Sequence, residues 1–248
     1  MGRVLFFILF ALVSLNGGEV RIAAAANVGY AVEDLIKEYE KIDPGTKVRV
    51  TLGSSGKLAA QILHGAPYDI YLSANMSYPR RLYKEGAAAT EPEIYAEGVL
   101  VLFSVKHLDV GKGMEVLKDR SVTTVAIANP KTAPYGTAAM EAIRRSAIYD
   151  EVKEKLVFGE SVAQTLSYAL KAADIGMVAK SALYGPRMSR YREGINWVEV
   201  DRELYSPIEQ GAVLLKRAEG AKEAKSFYRF LFSESAKDIF RRYGYRTR

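Results

Sequence analysis

The sequence predicts an α/β protein built on parallel sheets. Three observations predict it. Short apolar segments of strand length recur along the 248 residues, most of them give way to a stretch with helical spacing, and the junctions between the two are small-residue turns. Composition agrees: 49% hydrophobic and 26% charged residues with 20 Gly and 8 Pro describe a globular chain and exclude a disordered or collagen-like one. The length allows one large domain or two of about 100–150 residues.

The elements follow in order. Met1-Gly2-Arg3 precedes an apolar run from Val4 to Leu15 broken only by Ser14. That run falls short of the ~20 residues that cross a hydrocarbon core. One positive charge, a short apolar stretch and then Asn16-Gly17-Gly18 predict a secretory signal peptide over residues 1–18, leaving an exported, soluble mature protein. Val20 to Ala25 is a strand, and after the turn Ala26-Asn27-Val28-Gly29 a helix carries Ala31, Val32, Leu35, Ile36 and Tyr39 on one face. Lys47 to Leu52 is a strand. Gly53-Ser54-Ser55-Gly56 turns into a helix with Leu58, Ile62 and Leu63, ended by His64-Gly65. Tyr68 to Ser73 is a third strand, and Pro79 to Glu85 a helix stopped by Gly86.

A second series begins with a strongly apolar strand, Gly98 to Val105. Val125 to Ala128 is another, followed by a turn from Asn129 to Tyr135 and a helix from Gly136 to about Tyr149. Leu156 to Phe158 leads through Gly159-Glu160-Ser161 into a helix with Val162, Leu166 and Leu170. Ile175 to Ala179, Trp197 to Val200 and Gly211 to Leu215 complete the strands, and basic helices over residues 221–243 close the chain.

In open α/β sheets ligands sit beyond the carboxyl ends of strands, where helix N-termini meet. Here those turns carry donors without formal charge: Asn27, Ser54, Ser55, Tyr135 and Ser161. Free main-chain N–H groups at helix starts, together with hydroxyl and amide donors, make an anion site. Glycines at 53 and 56 permit close approach of the main chain to a ligand. Singly, each residue also reads as a cap, a turn or a packed aromatic; their recurrence at one kind of junction is what favours binding.

Other chemistries find little support. The chain has no cysteine and two histidines, which excludes disulfides, thiolate metal sites and a Cys nucleophile. Gly53-Ser54-Ser55-Gly56-Lys57 imitates a phosphate loop, but Thr51 takes the first glycine position and Leu58 that of the hydroxyl residue. No Gly-x-Ser-x-Gly elbow is present. Glu33, Asp34 and Asp69 offer carboxylates for acid/base work, though nothing singles out a pair. The formal charge of +6 lies wholly in residues 216–248, which hold ten Lys/Arg and four Asp/Glu. That distribution argues for a basic surface on the last helices, open to a membrane or a protein partner, and not for a nucleic-acid groove.

Four segments carry a resemblance: Ile22–Asn27 (IAAAAN), Gly53–Ile62 (GSSGKLAAQI), Gly65–Ala74 (GAPYDIYLSA) and Phe240–Tyr245 (FRRYGY). With them the chain resembles, over nearly all its mature length, the periplasmic molybdate-binding proteins of ABC importers. The resemblance implies a two-lobed periplasmic-binding-protein fold of type II: two mixed, mostly parallel sheets joined by two crossing hinge strands. It divides the chain into a signal peptide (1–18), lobe I (19–98 with 211–248) and lobe II (99–210). It implies binding of molybdate, and tungstate with it, without catalysis, cofactor or side-chain metal ligand. The partner is an ABC-transporter permease in the inner membrane, and the protein is a monomer.

Carried over position by position, the resemblance implies Asn27 as the first side-chain donor, where the family often has serine, and Ser55 as the second. Tyr135 supplies a main-chain N–H and Val162 another. One departure stands out: some members carry a tyrosine hydroxyl where this chain has Ala179, and the Tyr135 phenol is the candidate replacement. Donors alone suit a dianion that can only accept hydrogen bonds, whereas a protonated phosphate oxygen would lack an acceptor. Two alternatives stay open, a receptor of the same fold for sulfate, phosphate or a small organic acid, and a secreted hydrolase using carboxylates.

Overall fold

The computed structural model describes residues 18–248, so the export segment expected over residues 1–18 lies outside it but for Gly18. The first half of the chain alternates as its periodicity predicts: β1 (Glu19–Ala25), a 3₁₀ turn (Ala26–Tyr30), α1 (Val32–Glu40), β2 (Lys47–Gly53), α2 (Ser55–Leu63), β3 (Ile70–Ser73) and α3 (Ser77–Lys84). α2 ends at His64 with Gly65 in the left-handed region (φ +85°), a conformation that favours glycine.

The expected single strand from Gly98 to Val105 is instead two. β4 (Glu93–Gly98) and β5 (Leu100–Phe103) belong to different sheets, and the chain passes between them at Val99. An apolar run shows burial but not which sheet buries it. β6 (Val125–Ala128) precedes α4 (Pro134–Arg145), which stops four residues short of the expected Tyr149, with Ala147 at φ +57°. A separate short helix, α5 (Tyr149–Val152), follows. Then come β7 (Leu156–Gly159), α6 (Val162–Lys171), β8 (Ile175–Ala179), β9 (Trp197–Glu199), β10 (Ile208–Leu214), α7 (Lys222–Phe230) and α8 (Glu234–Arg242). Two short 3₁₀ turns within Val110–Lys118, broken at Gly113 (φ +58°), had no clear signal in the sequence.

The strands form two five-stranded mixed sheets of matching order, β2-β1-β3-β10-β4 and β7-β6-β8-β5-β9. In each, three parallel strands adjoin two in which one runs antiparallel to its neighbours. Separate hydrophobic clusters cover them: helices α1, α7 and α8 close one face of the first sheet with Leu35, Tyr39, Phe227 and Phe240, while α4 and α6 pack on the second. The lobes are joined where Gly98–Leu100 runs beside the segment leading into β10. There Gly98 pairs with Ile208, Val200 N–H donates to Leu100 O, and Leu100 N–H donates to the Tyr205 hydroxyl.

An aspartate enters the middle strand of each sheet in the same way. Asp69, before β3, accepts from Arg21 N–H at 2.7 Å and Arg217 Nε at 2.9 Å. Asp174, before β8, accepts from Thr123 N–H at 2.7 Å and Thr124 N–H at 2.8 Å, and pairs with the Lys106 ammonium. Burial alone would raise the Asp174 carboxyl, but Lys106 and the Thr123 and Thr124 donors outweigh it and hold the group well below the usual carboxylate range. A lowered folded-state value contributes stability above the unfolded value of about 3.9 and loses it as pH falls further. Asp174→Asn is therefore expected to cost roughly 1.5–3 kcal/mol near neutral pH and to lessen the loss of stability below about pH 4. Thermal midpoints of both proteins from pH 7 to pH 2 test this; parallel curves would show that Asp174 takes no part in the acid response.

The basic excess at the C-terminus is largely balanced on the surface. Seven of its ten cations stand in ion pairs, among them Arg217 with Asp69, Arg242 with Asp34, Arg246 with Glu97 and Glu199, and Arg248 with Glu209. Exposed pairs of this kind stabilise little, but they disperse the local field. No described helix is long and apolar enough to cross a membrane.

Candidate functional site

Four strands deliver helix starts to one place. β1 runs into the 3₁₀ turn at Ala26, β2 into α2 at Ser55, β6 into α4 at Pro134, and β7 into α6 at Val162. Local sequence explains each start. Pro134 at the first helical position has no N–H to leave unpaired, and Asn129 Oδ1 shapes the preceding turn by accepting from Lys131 N–H. Ser161 caps α6, its Oγ accepting from Gln164 N–H at 3.3 Å. Tyr71 donates to Ser55 O at 2.8 Å from β3 and holds the α2 turn from below.

Between these starts lies a small cavity of ≈ 10 Å³, walled by Ala26 and Asn27, Ser54 and Ser55, Tyr135 and Val162 with their neighbours. That is far below the roughly 300–1,000 Å³ of sites for drug-sized ligands and leaves room only for something small. Among the described residues, none that lines it is charged. The main-chain N–H groups of Asn27, Ser55, Tyr135 and Val162 have no hydrogen-bond partner among the described residues. Ser55 is fully buried, and its Oγ accepts from Ala74 N–H at 3.0 Å, which leaves the hydroxyl proton free to donate. Free N–H groups and the partial positive ends of α2, α4 and α6 make the pocket electropositive without a cation.

The four residues predicted from sequence all line this pocket, but the side chains of two of them are placed otherwise than expected. Asn27 is buried, and its Nδ2 donates to Gln210 Oε1 at 2.8 Å and to the Tyr245 hydroxyl at 2.7 Å. Gln210 Nε2 donates to Ile208 O, and Tyr245 donates to Asn27 O, so the amide orientation is set by the surrounding bonds. With both amide protons engaged, Asn27 offers the pocket its main-chain N–H. The Tyr135 phenol lies against the crossing segment: a Cβ on Gly98 would meet its hydroxyl at 2.1 Å. That hydroxyl is buried without a partner among the described residues, and burial raises it well above the usual phenol range. It is thus placed beside the hinge, not as a replacement for a hydroxyl at Ala179. A buried partnerless hydroxyl is costly. Tyr135→Phe is expected to leave the ligand-free protein at least as stable as wild type, by thermal unfolding; a clear drop in midpoint would reveal a partner for the phenol.

The two sides of the pocket touch at its mouth. Gly56 N–H donates to Thr132 O at 2.9 Å, Tyr78 donates to Lys131 O at 3.3 Å, and Lys57 pairs with Glu160 at 2.9 Å. The close approach that Gly56 permits is to the Tyr78 phenol and the Thr132 main chain, since a Cβ there would stand 2.6 Å from the Tyr78 hydroxyl and 3.1 Å from Thr132 Cα. Behind the pocket, Ser181 donates to Asn27 O at 3.1 Å and ties the second lobe to the first. Sequence reasoning missed Gln210 and Tyr245 as the partners of Asn27. For Tyr245 a signal existed in the C-terminal Phe240–Tyr245 segment; for Gln210 there was none. Of the carboxylates considered for catalysis, Asp69 is held by Arg21 and Arg217, and Asp34 meets Tyr243 and Arg242.

Comparison with known proteins agrees with the fold and adds a family. The model of the bacterial extracellular solute-binding proteins matches residues 20–246. The molybdate-binding protein ModA of Azotobacter vinelandii is 36% identical over 93% of this chain and 90% of its own, and that of Rhodobacter capsulatus 38% over 93% and 89%. A solved periplasmic molybdate-binding protein from Azotobacter vinelandii superposes with a TM-score of 0.83, at 31% identity, covering 91% of this chain and 98% of that one.

Proposed function

The chain belongs to the bacterial extracellular solute-binding proteins, and from that premise we propose that it captures molybdate between its two lobes and delivers it to an ABC importer. The observation that carries the reading is the pocket itself, where four helix starts present free N–H groups and the Ser55 hydroxyl with no charged side chain among them. A tetrahedral dianion that only accepts hydrogen bonds fits such a set. Each N–H is held by a helix whose first turn is built into a sheet, so the donors are arranged before the ion arrives. Sulfate shares the charge and shape but is smaller, so its rejection rests on the spacing of the donors across the cleft. Tungstate is nearly the size of molybdate and is accepted with it.

The donor set comprises the N–H groups of Asn27, Ser55, Tyr135 and Val162 and the Ser55 hydroxyl, with no cofactor. The contacts at the mouth support a closing motion in which α2 meets the Thr132 turn and Lys57 meets Glu160. The relatives are binding proteins of transport systems, and the same role here requires binding and release without chemistry. The protein works as an exported monomer, and its partner is the membrane permease of the importer.

Thermal unfolding with molybdate, tungstate, sulfate and phosphate at equal concentration tests the reading. A ligand at about 1,000 times its Kd stabilises by ~4 kcal/mol, or roughly 8–16 °C for a chain of this size. Molybdate and tungstate are expected to raise the midpoint and sulfate and phosphate to leave it nearly unchanged. A shift with sulfate or phosphate alone would reassign the ligand, and no shift with any of the four would overturn the oxyanion reading.

A further inference from the structure

We propose that Ser54 donates its hydroxyl to the bound oxyanion and is a further affinity-determining residue of the pocket, an inference that rests on the oxyanion reading above. Ser54 occupies the N-cap position of α2 with extended backbone (φ −71°, ψ 143°), yet its side chain makes no capping hydrogen bond. Two other N-cap serines of this chain behave otherwise: Ser161 accepts from Gln164 N–H and Ser233 from Ala236 N–H. An uncommitted cap serine is unusual, because the free N–H groups of a first helical turn are its natural partners.

Ser54 is 5% exposed, and its Oγ is sealed from solvent with no partner among the described residues. A buried hydroxyl in that condition destabilises the ligand-free protein unless something else meets it. The residue belongs to the wall of the pocket beside Ser55. Two other pocket residues hold a buried polar atom without a partner, and neither replaces it. Asn27 Oδ1 is an acceptor by its surroundings and cannot bond a dianion, and the Tyr135 hydroxyl lies under Gly98. Ala26 and Ala179 bring no side-chain donor at all. Ser161, also at the wall, has its Oγ oriented by Gln164 N–H as the cap of α6. Ser54 is thus the wholly uncommitted hydroxyl that can join Ser55, and two adjacent serines at the start of α2 would hold two oxygens of one ion or share one. The Ser54 proton turns about Cα–Cβ and Cβ–Oγ without moving the main chain, so the donor is available at little cost in ordering.

The test is calorimetric titration of Ser54→Ala and Ser54→Gly with molybdate, beside wild type, and thermal unfolding of all three without ligand. Both variants are expected to bind roughly 10- to 30-fold more weakly, the lower part of the range for one hydrogen bond to a charged group. Their ligand-free midpoints are expected to match or exceed that of wild type, because the hydroxyl bonds nothing there. Glycine is an accepted N-cap, so it removes the hydroxyl even if alanine disturbs the helix start. Wild-type affinity in either folded variant would overturn the assignment alone. Wild-type protein that binds none of the four oxyanions would overturn both this assignment and the function it rests on.

Discussion

Ser55→Ala is expected to weaken molybdate binding by roughly 1.5–3 kcal/mol, or about 10- to 150-fold in Kd. The hydroxyl has two tasks in the structure. Its oxygen accepts from Ala74 N–H, which orients it, and its proton is left free at the pocket wall. A donor fixed in this way gains a charge-assisted bond to the ion without having to find its rotamer, so its removal costs more than that of a mobile hydroxyl. Alanine also leaves the Ala74 N–H without its acceptor in a buried place, so the ligand-free midpoint is expected to fall as well. Titration calorimetry and thermal unfolding of the same variant separate the two effects. Undiminished affinity would remove the Ser55 hydroxyl from the donor set.

Gly136→Ala is expected to lower stability most directly. Gly136 is the third residue of α4, and a Cβ there would sit 2.1 Å from Ala128 O, 2.6 Å from Ala128 C and 2.9 Å from Asn129 C. All three atoms are main chain, at the end of a central strand paired on both sides, so they cannot turn aside as a side chain would. Relief has to come from movement of the helix. The cost of such overpacking is about 1–3 kcal/mol, roughly 2–12 °C in midpoint. Because Tyr135 is the preceding residue, displacement of α4 carries its N–H out of register with the pocket, and molybdate affinity is expected to fall with stability. An unchanged midpoint would mean that the strand end yields more readily than its pairing indicates.

These two positions also show how unevenly the molecule was legible. Ser55 could be read from its turn, since a serine between a strand and a helix start is a local feature with a local consequence. Gly136 gave no such sign, because the reason for glycine is a carbonyl eight residues away that only the packed helix brings near. The strand and helix alternation was legible because hydrophobic period is short-ranged. The division of Gly98–Val105 between two sheets was not, since Val99 reads the same whichever sheet its neighbours join. The basic C-terminus was visible as a count, but its neutralisation depends on acids from Asp34 to Glu209 that fold against it.

By itself the sequence determined the α/β class, the succession of strands and helices, and the junctions at which uncharged donors stand. Those follow from spacing within a dozen residues and from the turn preferences of small side chains. Only the tertiary structure decided what each donor is free to do. Asn27 lost its amide protons to Gln210 and Tyr245, partners 183 and 218 residues away, and Tyr135 turned its phenol beneath Gly98. Ser54 kept a hydroxyl that no described residue claims. A hydrogen-bonding group has a fixed capacity, and whether any of it remains for a ligand depends on every neighbour the folded chain brings within 3 Å or so.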